Sequence, residues 1–293
     1  MLLLLTASLI WAFSFGLIKT QLAGLDPFLV AALRLGLALL LFLPFLRLGG
    51  LSGRLRLQLA ACGAVQYGLM YVAYLAAFRT LSGSDVALLT TLTPVYVALL
   101  ADAGERRWRG RHLLAALVSV LAGAAVLLGN ATPRAAVPGF LLVQASNLTF
   151  AAGQVWYRRL LPSGHGGGDR QVFALLYLGG VLTALAAILA TASWQSASWA
   201  LSPRQGWVVL YLGLLPSGLC FFLWNSGARR VNAGTLAVLN NAKMPLAVAV
   251  SLLVFEATPS ATKLLRLAAA LILMTGAAWW TTRTAAAPPA STC

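Results

Sequence analysis

Two stretches decide the fold: Ala87-Leu88-Leu89-Thr90-Thr91-Leu92-Thr93-Pro94 and Ala237-Val238-Leu239-Asn240-Asn241-Ala242-Lys243-Met244-Pro245. Each is an apolar run broken by a polar pair and then a proline. Their surroundings match as well, with Gly63, Gly68, Arg79 and Glu105 around the first and Gly213, Gly218, Arg229 and Glu256 around the second. The offset is 150 from Gly63/Gly213 to Thr91/Asn241, and 151 at Pro94/Pro245 and Glu105/Glu256. An internal repeat with a proline-broken apolar segment in each half points to a membrane carrier and to where its site lies.

Composition agrees. Of 293 residues, 60% are hydrophobic and 9% charged, and the mean hydropathy is +0.85. A soluble domain of this size needs a far larger polar surface, so lipid must solvate most of the chain. The net charge of +15 is dispersed among apolar spans, which excludes a nucleic-acid face and fits arginine-rich loops beside a membrane. The cysteines Cys62, Cys220 and Cys293 have neither disulfide-framework nor metal-ligand spacing. No metal or cofactor is expected.

Segments of about twenty apolar residues cross a bilayer as helices. They fall near 2–20, 27–46, 57–78, 84–102, 111–129, 137–157, 171–193, 205–227, 234–255 and 263–282. The expected fold is an all-α membrane protein of ten transmembrane helices, in two five-helix repeats over 1–130 and 137–283 around a central cavity, with 284–293 a disordered tail. The even-numbered connections and the C-terminal flank hold thirteen basic residues against six in the odd ones, which places both termini in the cytoplasm by the positive-inside rule. Five spans per half make the second repeat inverted, the arrangement that alternating access uses. Trp108, Trp194, Trp199, Trp207, Trp279 and Trp280 lie at span ends as interfacial anchors.

Within the spans, Pro94 and Pro245 are expected in mid-helix, where each denies a donor to the carbonyl four residues earlier, Thr90 or Asn241. Such groups need protein or water around them, so Thr90, Thr91, Asn240 and Asn241 are candidate cavity residues. The extra residue between Asn241 and Pro245 is expected to form a π-bulge. Lys243 lies nine residues into its span, where a charge costs roughly 2.5–3.5 kcal/mol unless it meets water or a partner. With no acid deep in any span, it is a candidate for a substrate carboxylate. Arg34 has the same potential, with snorkelling to the surface as its equal alternative.

Tyr67, Tyr71, Tyr74 and Phe78 stack along one face by their four-, three- and four-residue spacing. With Trp11, Phe15 and Trp224 they are candidates for an aromatic cavity wall, to which Asn147 and Gln154 would add polar contacts; ordinary packing is the alternative. Gly68 and Gly218, like Gly63 and Gly213, serve as close-packing positions or hinges.

Trp11-Ala12-Phe13-Ser14-Phe15 through Lys19, Pro27 with Arg34, and the segment 87–94 followed by Glu105 make the chain resemble the drug/metabolite transporter superfamily, in its EamA-type branch of ten-helix carriers. The resemblance implies two inverted five-helix bundles, with the first four helices of each enclosing the cavity. It also implies export of amino acids, other metabolites or toxic compounds. A lysine for a carboxylate and aromatic walls for a side chain favour amino-acid export, aromatic amino acids included, across the inner membrane. A multidrug exporter of organic cations is the alternative, disfavoured by a buried cation without a mid-membrane acid. A non-transporting receptor or structural protein leaves the paired broken helices unexplained. Catalysis is excluded for want of a poised acid/base set, His112 and His165 both lying in connections.

Overall fold

The computed structural model describes residues 1–22, 24–127, 137–161, 168–192, 200–254 and 260–283. Phe15's side chain, Trp194, Trp199, His165, Glu256 and the segment 284–293 lie outside the described residues. All regular structure among the described residues is helical. The helices are α1 (Leu2–Gln21), α2 (Pro27–Phe42), α3 (Gly53–Gly63), α4 (Met70–Ala77), α5 (Gly83–Thr90), α6 (Thr93–Glu105), α7 (Gly110–Leu127) and α8 (Val137–Leu160). They continue with α9 (Phe173–Ala190), α10 (Pro203–Leu212), α11 (Cys220–Ala228), α12 (Ala233–Leu239), α13 (Lys243–Val254) and α14 (Ala261–Arg283). Among the described residues, seven helical stretches are long and apolar enough to cross a membrane: Pro27–Phe45, Gly53–Ala77, Gly83–Glu105, Gly110–Leu127, Phe173–Ala190, Pro203–Ala228 and Ala261–Arg283.

Starts are set by caps. Asp26 accepts the N–H groups of Phe28 and Leu29 with Pro27 at the first position of α2, Ser82 and Asp85 form a capping box on α5, and the Asn232 side chain caps α12. Each device satisfies donors that a helix's first turn leaves open.

Helices from the two ends of the chain interleave. The first half's α2 and α3 pack on α9, α4 and α6 on α8, and α1 on α11 and α13, while α7 holds α12 and α14. Two glycines permit the closest approach: a Cβ at Gly63 would overlap the Leu176 backbone, and one at Gly179 the Ala60 carbonyl. Helices that touch through their backbones gain van der Waals contact, the main attraction available where lipid removes the hydrophobic one.

π-helical turns occur, but not where the extra residue led us to expect one. They are Ala64–Leu69 between α3 and α4 and Gly213–Leu219 between α10 and α11, related by the same offset of 150 as the flanking glycines. Near Pro245 the α-helical ladder gives way to i→i+3 turns over Asn240–Ala242, as it does over Thr91–Leu92 before Pro94. A helix that is already interrupted absorbs an added residue by lengthening the interruption, and no π-bulge is needed. The prolines therefore stand in the first turns of α6 and α13, where no intrahelical donor is required. Trp108, Trp207 and Trp279 are exposed at helix ends, and Trp280 is at the margin of exposure.

Candidate functional site

The break before Pro94 deprives the Leu89, Thr90 and Thr91 carbonyls of their α-helical donors; Leu89 keeps a turn bond from the Leu92 N–H at 3.3 Å, and three side chains reach these oxygens. Asn147 Nδ2 donates to the Leu89 carbonyl at 3.0 Å, Thr93 Oγ1 to Thr90 at 2.7 Å, and Asn241 Nδ2 to Thr91 at 2.8 Å. Asn147 Oδ1 lies 3.0 Å from Thr93 Oγ1, whose single proton it shares with the Thr90 carbonyl, so Asn147 touches both pieces of the broken span. Asn241 belongs to the other break and donates further to the Ser119 carbonyl of α7 at 3.1 Å. Its own carbonyl takes the Met244 N–H at 2.9 Å. The carbonyls of Thr90 and Asn241, expected to need protein or water in place of their helical donors, are thus satisfied within the protein.

Beside the first break lies a cavity of about 650 Å³, open mouth included, lined by Trp11, Ser14, Arg34, Met70, Tyr71, Tyr74, Thr90, Thr93, Ser146, Asn147, Phe150, Pro216, Phe221 and Lys243. Of the candidates read from sequence, it gathers Trp11, Tyr71, Tyr74, Thr90, Asn147 and Lys243. Phe221 and Phe150 complete the aromatic wall, with Trp11 5.4 Å from Phe221 and 6.2 Å from Phe150 between ring centroids. Trp11 Nε1 donates to the Pro216 carbonyl at 2.8 Å, so the second π turn presents a backbone oxygen that the cavity wall itself satisfies.

The remaining described candidates lie outside the lining. Thr91 offers its carbonyl to Asn241, as above, and its hydroxyl to its own turn at Leu88. Asn240 and Gln154 exchange hydrogen bonds of 3.1 and 3.2 Å, and Gln154 accepts from Trp224 Nε1 at 2.9 Å. Tyr67 stacks on Phe221 and accepts from Asn225, which pairs reciprocally with Gln66. Gln154 is seven residues beyond Asn147 on α8, roughly 10 Å further along at 1.5 Å per residue. These side chains therefore form a buried polar layer between the cavity and the arginine-rich end that carries Arg158, Arg159 and Arg229. Gly68 and Gly218 lie within the π turns against Thr183 and Leu41, and Pro94 and Pro245 open the second segments of the two breaks.

Charge is the cavity's most specific property. Lys243 is 9% exposed, and its Nζ stands 5.8 Å from the centroid of the Trp11 ring. Arg34, which the sequence left equally free to snorkel, is 2% exposed. Its Nε donates to Ser217 Oγ at 3.1 Å and its Nη2 to Tyr71 Oη at 2.7 Å. No carboxylate is present among the described lining residues. The acids nearest the helix interiors are engaged at the ends instead: Asp102 with His112 at 2.9 Å and Asp169 with Arg229 and Tyr157. No group of three or more His, Cys, Asp or Glu able to hold a metal occurs among the described residues.

Nothing in a single sequence distinguishes the residues that face a cavity from those that pair with each other one turn deeper. Arg34, Phe150, Phe221 and Ser217 belong to the wall or its supports for reasons of azimuth that only the packed helices supply.

The EamA-like transporter family matches residues 1–129 and again 137–283. A probable biotin transporter of Pseudomonas aeruginosa is 41% identical over 257 residues, which cover 86% of this chain and 88% of that protein. The biotin transporter of Escherichia coli K12 is 36% identical over 261 residues, covering 88% and 86%. A protein of known crystal structure superposes with a TM-score of 0.73 over 94% of this chain and 95% of its own, at 22% identity, and so shares the fold. With paired family matches over both halves and relatives of this identity over most of its length, the chain belongs to the EamA-like transporter family and is a multi-pass membrane transporter rather than an enzyme.

Proposed function

We propose that this protein carries biotin, or a closely similar apolar monocarboxylate, across the inner membrane by alternating access. The observation that carries the reading is a cavity with two buried cations, aromatic walls and no acid among its described lining residues. Biotin has one carboxylate on a flexible apolar chain and a compact bicyclic ring, which such a cavity suits. An amino acid shares the carboxylate but adds an ammonium group, for which this lining offers no ionised partner. That asymmetry and the relatives' names favour biotin over the amino acids that the sequence alone brought forward.

In this reading α1, α8 and the pair α12–α13 also cross the bilayer, making ten spans in two inverted repeats of residues 1–130 and 137–283. The arginine-rich end is cytoplasmic, with both termini there. The buried Asn240–Gln154–Trp224 layer then closes the inner side, and the cavity belongs to the outward-facing state.

Counterflow of labelled biotin in proteoliposomes, run beside labelled phenylalanine and a quaternary ammonium dye, tests the proposal. Saturable biotin exchange is expected, with Lys243→Gln raising its KM by about tenfold, the equivalent of roughly 1.4 kcal/mol. Phenylalanine or dye exchange without biotin exchange would overturn it.

A further inference from the structure

Resting on the monocarboxylate reading, we infer that Arg34, through its Nη1 atom, is the residue that fixes the substrate carboxylate and sets the preference for an acid over its neutral amide. Two of the three guanidinium nitrogens are already committed, Nε to Ser217 and Nη2 to Tyr71. Those two partners also lie 3.0 Å from each other, so they form a closed triangle with the guanidinium. The guanidinium carbon stands 4.6 Å from the Tyr71 ring centroid. Nη1 is buried and has no hydrogen-bond partner, and Arg34 lines the cavity.

A buried donor left unpaired on a charged group is costly, and native structures rarely keep one without a use. Here the planar fork is held on two sides, and the third nitrogen, covered in this conformation, lacks an acceptor until a carboxylate enters beside it. The substrate carboxylate is the acceptor that matches it in charge and geometry. Lys243 contributes differently. Its Nζ is held over an aromatic face on a flexible stem, so it supplies positive charge without fixing direction.

Ser217 extends the consequence. It lies in the second π turn, where the single proton of Tyr177 Oη is shared between the carbonyls of Ser217 and Gly218, at 2.8 and 2.6 Å. The anchor on α2 is thus built jointly by the first and second halves of the chain, and the carboxylate docks where they meet.

The test compares labelled biotin with its primary amide in proteoliposomes of wild type, Arg34→Lys, Arg34→Gln, Lys243→Gln and Tyr71→Phe, each first checked for monodispersity. Wild type should prefer biotin. Arg34→Gln should lose that preference and raise the KM for biotin by about 10- to 100-fold. Arg34→Lys should behave nearly as badly because a lysine cannot hold both Ser217 and Tyr71 while reaching the carboxylate. Lys243→Gln should weaken transport of the acid while keeping it ahead of the amide, and Tyr71→Phe should shift the preference a few-fold. If Arg34→Gln does not fold, Tyr71→Phe and Ser217→Ala decide by the same readout. Retained acid-over-amide preference in Arg34→Gln, or a preference equal to wild type in both substitutes, overturns the assignment. Absence of biotin transport by wild type instead overturns the functional reading on which it rests.

Discussion

Replacing Asn241 with alanine removes the one side-chain donor that, among the described residues, reaches from the second broken span to the first. Asn241 Nδ2 donates to the Thr91 carbonyl at 2.8 Å and the Ser119 carbonyl at 3.1 Å. The Thr91 carbonyl lies at the break, where the Val95 N–H turns to Leu92 instead, so it has no helical substitute. Leaving such an acceptor unpaired costs about 1–3 kcal/mol. Against this, Asn241 Oδ1 is itself buried without a partner, and alanine removes that atom too. The net loss therefore sits at the lower end, about 1–1.5 kcal/mol, or a fall of roughly 2–6 °C in the midpoint of thermal unfolding for a chain of this size. Asn241→Asp keeps the shape but turns an acceptor toward two carbonyls, and should fall at least twice as far. Thermal unfolding of detergent-purified protein, followed by size-exclusion recovery, measures both. The reasoning fails if both variants unfold within about 1 °C of wild type, a shift too small for a lost buried bond, or if the aspartate is the more stable of the two.

Three shorter expectations follow from the packing. Gly63→Ala should abolish recovery of folded protein, since its Cβ would meet the Leu176 backbone, while Gly36→Ala, with open space around it, should be recovered normally; equal yields would show that α3 and α9 are not in backbone contact. Trp11→Phe keeps a ring in the wall but loses the donor to the Pro216 carbonyl, and should lower stability by about 1 kcal/mol, more than a change at the exposed Trp207. Asp169→Asn should destabilise more than either, because Arg229 and Tyr157 both lose a charged acceptor in a largely buried site; a midpoint equal to wild type would show the pair to be solvated.

The helical architecture was legible because lipid imposes long apolar runs, and because the repeated glycines and prolines mark positions where a helix must narrow or break. Gly63 and Gly213 read as close-packing sites, and a Cβ at either would collide with Leu176 or Leu37. The position of the π turns was not legible. An inserted residue predicts a π-bulge only if the helix is continuous, and at Asn240–Ala242 it is not. Lys243 and Asn147, singled out by depth and polarity, line the cavity. Asn240, Gln154 and Trp224 are equally able to hydrogen-bond but lie in the layer beyond the cavity and satisfy one another. Arg34 had the opposite fate: reach to the surface was as good a reading as burial until Ser217, 183 positions away in the chain, was seen to hold it.

The bond from Asn241 to Thr91 joins a side chain to a backbone oxygen, and this has a consequence for how the two halves can diverge. Any residue at position 91 presents the same carbonyl, whereas position 241 must keep a donor of amide length. Substitutions along the lineage are therefore expected to accumulate more freely at 91 than at 241. Of two segments that began alike, one carries the obligation and the other is released from it, so the drift between them has a direction.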